Sequence, residues 1–336
     1  MTGRALKWEI VSGKQARAEG HPTADLETEW IKVHLARPVP ANGQARVLID
    51  KTYEDAASYR RDGDAIVFER SLGIRRNSVV LPAGFRLVSC NVPSQILVTD
   101  DGRVMVSFMN PGPGAAALVL RAKPGLPAGT ARPATTSGPE TPRALPSQAS
   151  RLAERARQDR EIVYSLDDPA THRFSLYHDY TETRPGVDRY VNVVRAGSTV
   201  SSPSAIVLDT GEVLEHETLK GAAITRAKID VGGPVDASTE AVVIRFPPVE
   251  QGQSLRIRIS ETYTDKERYY VDGGELVWDR SFGRPRNTVI LPDNWTIVAS
   301  AMPATVTETE TGRQRLYFEN ARPDEIQVLI RARRVR

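Results

Sequence analysis

Through the C-terminal half of the chain, apolar and polar residues alternate in short runs separated by Gly, Pro and Asp. Residues 241–246 and 254–260 are two such runs, with Pro247, Pro248 and Gly252 between them. Others follow at 275–281, 287–291, 295–301, 313–318 and 325–332. Upstream, residues 172–180 and 188–195 keep the same two-residue period, Phe174, Leu176 and Tyr180 sharing one parity. A period of two places one row of side chains on each face of a pleated strand. Asp-Gly pairs at Asp62 and Gly63, Asp101 and Gly102, and Asp272 and Gly273 are hairpin turns, because both residues accept positive φ. Short strands, regular turns and no strand–helix alternation predict an all-β fold of antiparallel β-sandwiches.

The pattern recurs because the sequence does. Residues 46–122 reappear without a gap 210 positions later, as 256–332. Roughly a third of the aligned positions are identical, which over this length reads as an internal duplication. Thr52, Tyr53 and Asp55 return as Thr262, Tyr263 and Asp265, and Arg70, Ser71 and Gly73 as Arg280, Ser281 and Gly283. Arg76 and Asn77 return as Arg286 and Asn287, and Leu81 and Pro82 as Leu291 and Pro292. Two tandem homologous domains are expected, a first copy over 1–122 and a second over 161–336. Between them, 123–146 is rich in Pro, Ala, Gly, Thr and Ser, a composition that cannot bury a core and predicts an extended tether. Residues 147–160 predict one short helix, with Ser147 or Ser150 as N-cap and Leu152 among small and charged residues.

Upstream of 46 the match continues with small shifts. Leu6, Glu9 and Gly13 align with Leu214, Glu217 and Gly221. The second copy has a further stretch before that point, Glu161 to Asp209, with no counterpart in the first. The first copy is therefore expected to lack its N-terminal strands. Either the precursor is longer, or those strands come from the other copy or from another chain in an oligomer. An incomplete sandwich exposes a sheet edge.

The chain has 336 residues, enough for two cores, and 40% hydrophobic with 26% charged residues is ordinary for a globular protein. A formal charge of +3 leaves no concentrated basic face for nucleic acid, and the terminal Arg331, Arg333, Arg334 and Arg336 read as a solvated run. No stretch has the length of a transmembrane helix. Cys90 is the only cysteine, so it forms no intrachain disulfide, and its counterpart Ser300 marks a small packing position. No signal sequence follows Met1, but linker composition and repeat style favour a periplasmic or extracellular setting.

Chemistry leaves few marks. His216 and Glu217 open an H-E-x-x-H pattern, but Lys220 closes it and the segment reads as a strand, so the two-histidine helical zinc site is absent. No nucleophile elbow, dinucleotide fingerprint or phosphate loop occurs, and neither cofactor nor metal is expected. What both copies retain is a polar set: Tyr53 and Tyr263, Asp55 and Asp265, Tyr59 and Tyr269, Arg70 and Arg280, Arg76 and Arg286, Asn77 and Asn287. It reads as a surface for a protein or glycan partner, or as internal support. In the second reading the arginine lies beside Phe68 or Trp278 on one strand face, and the aspartate satisfies it. Two domains of one scaffold need the same supports, so support is favoured. Glu69 and Asp279 with Asp55 and Asp265 leave a carboxylate-based hydrolase as the alternative.

Phe246, Pro247, Pro248 and Gly252, the alternating strand that ends in Tyr263, and Leu291, Pro292 and Trp295 form a pattern similar to the β-rich N-terminal domain of M1-type aminopeptidases. The resemblance implies a saddle-like accessory layer without the catalytic domain. The reading is a non-catalytic binding or structural protein of bacterial type, secreted or in the cell envelope.

Overall fold

A computed structural model describes residues 5–126, 161–322 and 324–335. The helix expected at 147–160, and all of the tether beyond Leu126, lie outside the described residues. The chain divides into two compact units, Met1–Glu54 and Asp55–Arg336.

In the smaller unit, strand β1 (Lys7–Ser12), helix α1 (Gly13–Ala18) and β2 (Glu29–His34) form an antiparallel two-stranded sheet with one helical turn at its end. Gly13 is required there, because a Cβ would lie 1.7 Å from the Asp25 carbonyl oxygen. Residues 45–54 form no strand.

The larger unit begins with β3 (Tyr59–Asp62), β4 (Ala65–Leu72), β5 (Arg76–Val80), β6 (Phe85–Val98), β7 (Val104–Met109) and β8 (Ala116–Pro124). Then come β9 (Glu161–Leu166), β10 (Arg173–Glu182), β11 (Arg189–Val193), β12 (Thr199–Val207), β13 (His216–Lys220), helix α2 (Ala222–Arg226), β14 (Glu240–Arg245) and β15 (Leu255–Thr264). The chain ends with β16 (Tyr269–Asp272), β17 (Glu275–Phe282), β18 (Arg286–Ile290), β19 (Trp295–Glu308), β20 (Gln314–Glu319) and β21 (Ile326–Arg334). The fold is all-β, and its helices are short.

From β3 to β8 and from β16 to β21 the chain makes the same ladder, shifted by 210 residues. Tyr59 faces Phe68 as Tyr269 faces Trp278; Ile66 faces Ala122 as Leu276 faces Ala332; Arg76 faces Met109 as Arg286 faces Glu319. Even the irregularity in the longest strand recurs, between Leu87 and Ser89 and between Ile297 and Ala299. That break lets one strand serve two ladders. The first half of β19 pairs with β21, which leads to β17 and β16; its second half pairs with β20, which leads to β18. Trp278 and Ile330 from one ladder and Val289, Leu316 and Phe318 from the other are buried in a common core. Two ladders closed over one core make a sandwich.

The strands run further than their local pattern indicates. β19 extends to Glu308 because its C-terminal half pairs with β20 and its middle with β6. In that contact Ser300 faces Ile96, Val306 faces Cys90, and Ser94 faces Ala304. Residues 90 and 300, 94 and 304, and 96 and 306 are equivalents, so the two copies meet about a local two-fold. Cys90, Ser94, Ser300 and Ala304 are all fully buried, and burial pushes the Cys90 thiol up. The small side chains allow this close approach. Gln314 joins the copies by donating to the Leu87 carbonyl at 2.7 Å while accepting from the Ile297 amide at 2.7 Å. Both copies contribute to one hydrophobic cluster running from Ile66 to Ala332, and the second copy adds two further clusters, one around Tyr180 and Ile259 and one around Ile224 and Val243.

Of the terminal arginine run, Arg331 and Arg333 depart from the expected solvation, Arg334 keeps it at 65% exposure, and Arg336 lies outside the described residues. β21 carries Arg331 and Arg333 beside Glu275, at 3.3 Å and 2.8 Å, and Arg334 reaches Asp168 at 2.7 Å. Glu275, which pairs with Arg331 and Arg333, lies on the neighbouring strand β17, invisible to a local reading.

β9, β10, β11 and β12 have no counterparts among the described residues of the first copy. In the second copy β9 lies parallel to β18, followed by β10, β15 and β12, while β11, β14 and β13 make a separate three-stranded sheet. Lacking equivalents of β10 and β12, residues 45–54 have no ladder to join, although their counterparts form β15.

Candidate functional site

Asp265 sits in the tight turn between β15 and β16, and Arg280 lies on β17 with its side chain pointing into the core. The Asp265 carboxylate accepts from Ser198 Oγ at 2.9 Å, the Arg268 amide at 3.1 Å and Arg280 Nη1 at 3.1 Å. The guanidinium stands 5.0 Å from the centre of the Phe174 ring and 5.4 Å from that of Trp278, a cation–π arrangement. Burial, then the charge of Arg195, pulls the Arg280 pKa down. Tyr269 is fully buried and its hydroxyl donates to the Asp167 carbonyl; Tyr263 donates to Glu261 at 3.2 Å. Burial pushes both tyrosines up. Asn287 donates to the Arg284 carbonyl at 2.7 Å, Arg286 is half-buried, and Asp279 is buried.

The same local bonds hold the first copy, but without a lid. Arg70 and Asp55 lie 3.6 Å apart, and Asn77 donates to the Ile74 carbonyl at 2.6 Å. Asp55 accepts from the Ala57 and Ser58 amides, both at 3.1 Å; hydrogen bonding by Ser58 pulls its pKa down. Tyr53, Tyr59, Arg76 and Glu69 are exposed, and Lys51 donates to the Tyr53 hydroxyl at 3.3 Å. Phe174 and Tyr164, which cover Arg280 in the second copy, come from β10 and β9.

A second polar cluster occupies the interior between β10, β11 and β15. Asn192 donates to Glu261 at 2.6 Å and to the Tyr263 hydroxyl at 3.0 Å. Arg284 contacts His178 Nδ1 at 2.8 Å and donates to the Tyr190 hydroxyl at 3.1 Å. Burial pushes the Glu261 carboxyl up against the hydrogen bonds from Asn192 and Tyr263. Its Oε1 is buried without a hydrogen-bond partner among the described residues. Nearby on β10, burial raises the Glu182 carboxyl, but hydrogen bonds from Arg184 and Tyr180 outweigh it and leave the pKa at about 2. A buried carboxylic acid beside a tyrosine suits proton donation, yet both groups are closed off from solvent. Selecting residues kept in both copies finds only Tyr263 of this cluster, because Lys51 and Ile74 stand where the second copy has Glu261 and Arg284.

Among the described residues no group of three or more His, Cys, Asp or Glu could hold a metal ion, and no helix is long and apolar enough to cross a membrane. No protein-family profile and no curated protein matches the chain. Among solved structures, an M1 zinc metallopeptidase from Deinococcus radiodurans aligns over 51% of this chain and 40% of its own, at 15% identity and a TM-score of 0.32. A two-domain M1 zinc metallopeptidase mutant bound to L-tryptophan, and a mutant of the Deinococcus enzyme, align at the same identity and TM-score over 41% of their own chains. The aligned region thus spans about two fifths of those enzymes, and likeness at this level defines neither fold nor activity.

Proposed function

We propose that the protein is a non-catalytic binding or structural protein made of two copies of one β-sandwich unit, secreted or in the bacterial cell envelope, with a protein or glycan partner. The observation that carries this reading is the inward pairing of Asp265 with Arg280 beneath Phe174 and Trp278. A hydrolase needs its carboxylates in an open cleft beside the substrate. Here Asp265, Asp279 and Tyr269 support a core, so in the second copy these residues act as scaffold. The test combines a glycan array and protein capture with turnover assays on glycans and peptides, all using the full chain. Binding without turnover is expected. Turnover that Asp279→Asn or Asp265→Asn abolishes, with thermal stability unchanged, would overturn the reading.

One observation favours a second reading, a carboxylate-based hydrolase in the second copy: the buried Glu261 carboxyl with its raised pKa beside Tyr263. It requires turnover that Glu261→Gln removes while the fold stays intact.

A further inference from the structure

In the second copy the outer edge of β18 is occupied by β9, with Arg286 opposite Glu161, Thr288 opposite Val163 and Ile290 opposite Ser165. Thr288 Oγ1 also donates to the Glu161 carboxylate at 3.1 Å. β9 and β10 bring the Tyr164 and Phe174 rings onto Trp278, at centroid distances of 5.4 and 4.8 Å. Beneath them every residue of β17 is buried, as are Asn287, Thr288 and Val289 of β18.

β5 is the equivalent of β18, and among the described residues its only strand partner is β7. Its side chains alternate between exposed and half-buried, and Val80 is 39% exposed. Phe68 and Leu72 stand where Trp278 and Phe282 stand, but are only half-buried, and Tyr59 is 52% exposed where Tyr269 is 0%. A free strand edge beside an apolar face is a template for another strand.

We propose that β5 is a strand-docking site. Its occupant is an extended segment of a separate polypeptide, parallel to β5, with apolar or aromatic side chains over Phe68, Leu72 and Tyr59 and an acidic residue opposite Arg76. This names the partner surface of the binding function proposed above and rests on it. The chemistry is that of β9, which continues the same ladder one strand further in the other copy. Arg75 and Arg76 are both exposed at the start of the edge, and in the second copy the facing residue is Glu161. Opposite charges on facing residues favour one register and one direction. A second copy of this chain is a poor donor of the strand. The described residues hold one β9 and two edges that accept it, so an exchange of that strand between two chains closes a β5 and opens a β18. The donor is a different polypeptide.

The probe is a synthetic peptide of residues 161–182, carrying the β9 and β10 sequences, added to the full-length protein and followed by amide hydrogen exchange. Exchange at 76–80 should slow by about tenfold or more, while exchange at 286–290, whose edge is already occupied, stays unchanged. Arg76→Glu, at an exposed position, should weaken peptide binding by about tenfold, and a peptide with Lys in place of Glu161 should restore it. No slowing at 76–80 with saturating peptide overturns the proposal. So does slowing that needs no peptide and grows with protein concentration, which would make a second copy's β5 the occupant. Neither result bears on the absence of catalysis, which is read by turnover.

Discussion

Asp265 and Asp55 hold equivalent arginines, but their surroundings make the two pairs unequal. The Arg280 side chain is 7% exposed and that of Asp265 0%, whereas Arg70 and Asp55 are 40% and 36% exposed. Removing one member of a buried pair strands the other charge away from water, so Asp265→Ala should cost about 3–5 kcal/mol. Asp55→Ala, in a solvent-screened pair, should cost far less. Chemical denaturation of both variants measures the contrast, and equal losses would refute it. The buried glutamates set opposite pH trends. Glu182 is held at about 2 against an ordinary 4.5, so its stabilisation is complete above 4.5 and is lost as pH falls toward 2. Because its partner Arg184 is 63% exposed, that contribution is discounted to about 1–2 kcal/mol. Glu261 is raised, so its contribution is present below the ordinary carboxylate range and is lost as pH rises through its own pKa. Melting curves should show Glu182→Gln flattening the acid limb, and Glu261→Gln gaining on the wild type as pH increases.

At the scale of elements, β17 and β4 share a ladder but not an environment. β17 is buried along its whole length, while β4 alternates after its first three residues. Trp278 packs under Phe174 and Tyr164, and Trp278→Ala should cost about 3–5 kcal/mol. Phe68→Ala removes less buried area and should cost about 1–2 kcal/mol. Thermal unfolding of the two variants compares them. The strands and hairpins were legible because alternation and Asp-Gly turns are written within a few residues; β3 and β4 meet at Gly63, and β16 and β17 at Gly273, both with positive φ. The pairing of Arg280 with Asp265 was legible too, from spacing and chemical type. The Glu261 cluster was not, because its members come from β10, β11, β15 and the turn after β17, and no short-range pattern joins them.

At the scale of the molecule, the contact of β6 with β19 joins the two copies through paired strands and a common core. A protease site engineered within 127–160 should therefore leave the two fragments co-eluting after cleavage, and separation on a sizing column would show that the contact does not hold them. Ala304→Phe, which overfills the close approach at Ser94, should cost about 1–3 kcal/mol and weaken that association. The sequence by itself determined the β-class, the turns and a ladder made twice, since pleat and turn chemistry are local properties of the chain. The tertiary structure alone decided which of two similar polar sets would be enclosed. Arg70 and Arg280 share their neighbours in sequence, but only Arg280 lies beneath Tyr164 and Phe174, because burial depends on strands brought in from elsewhere in the chain.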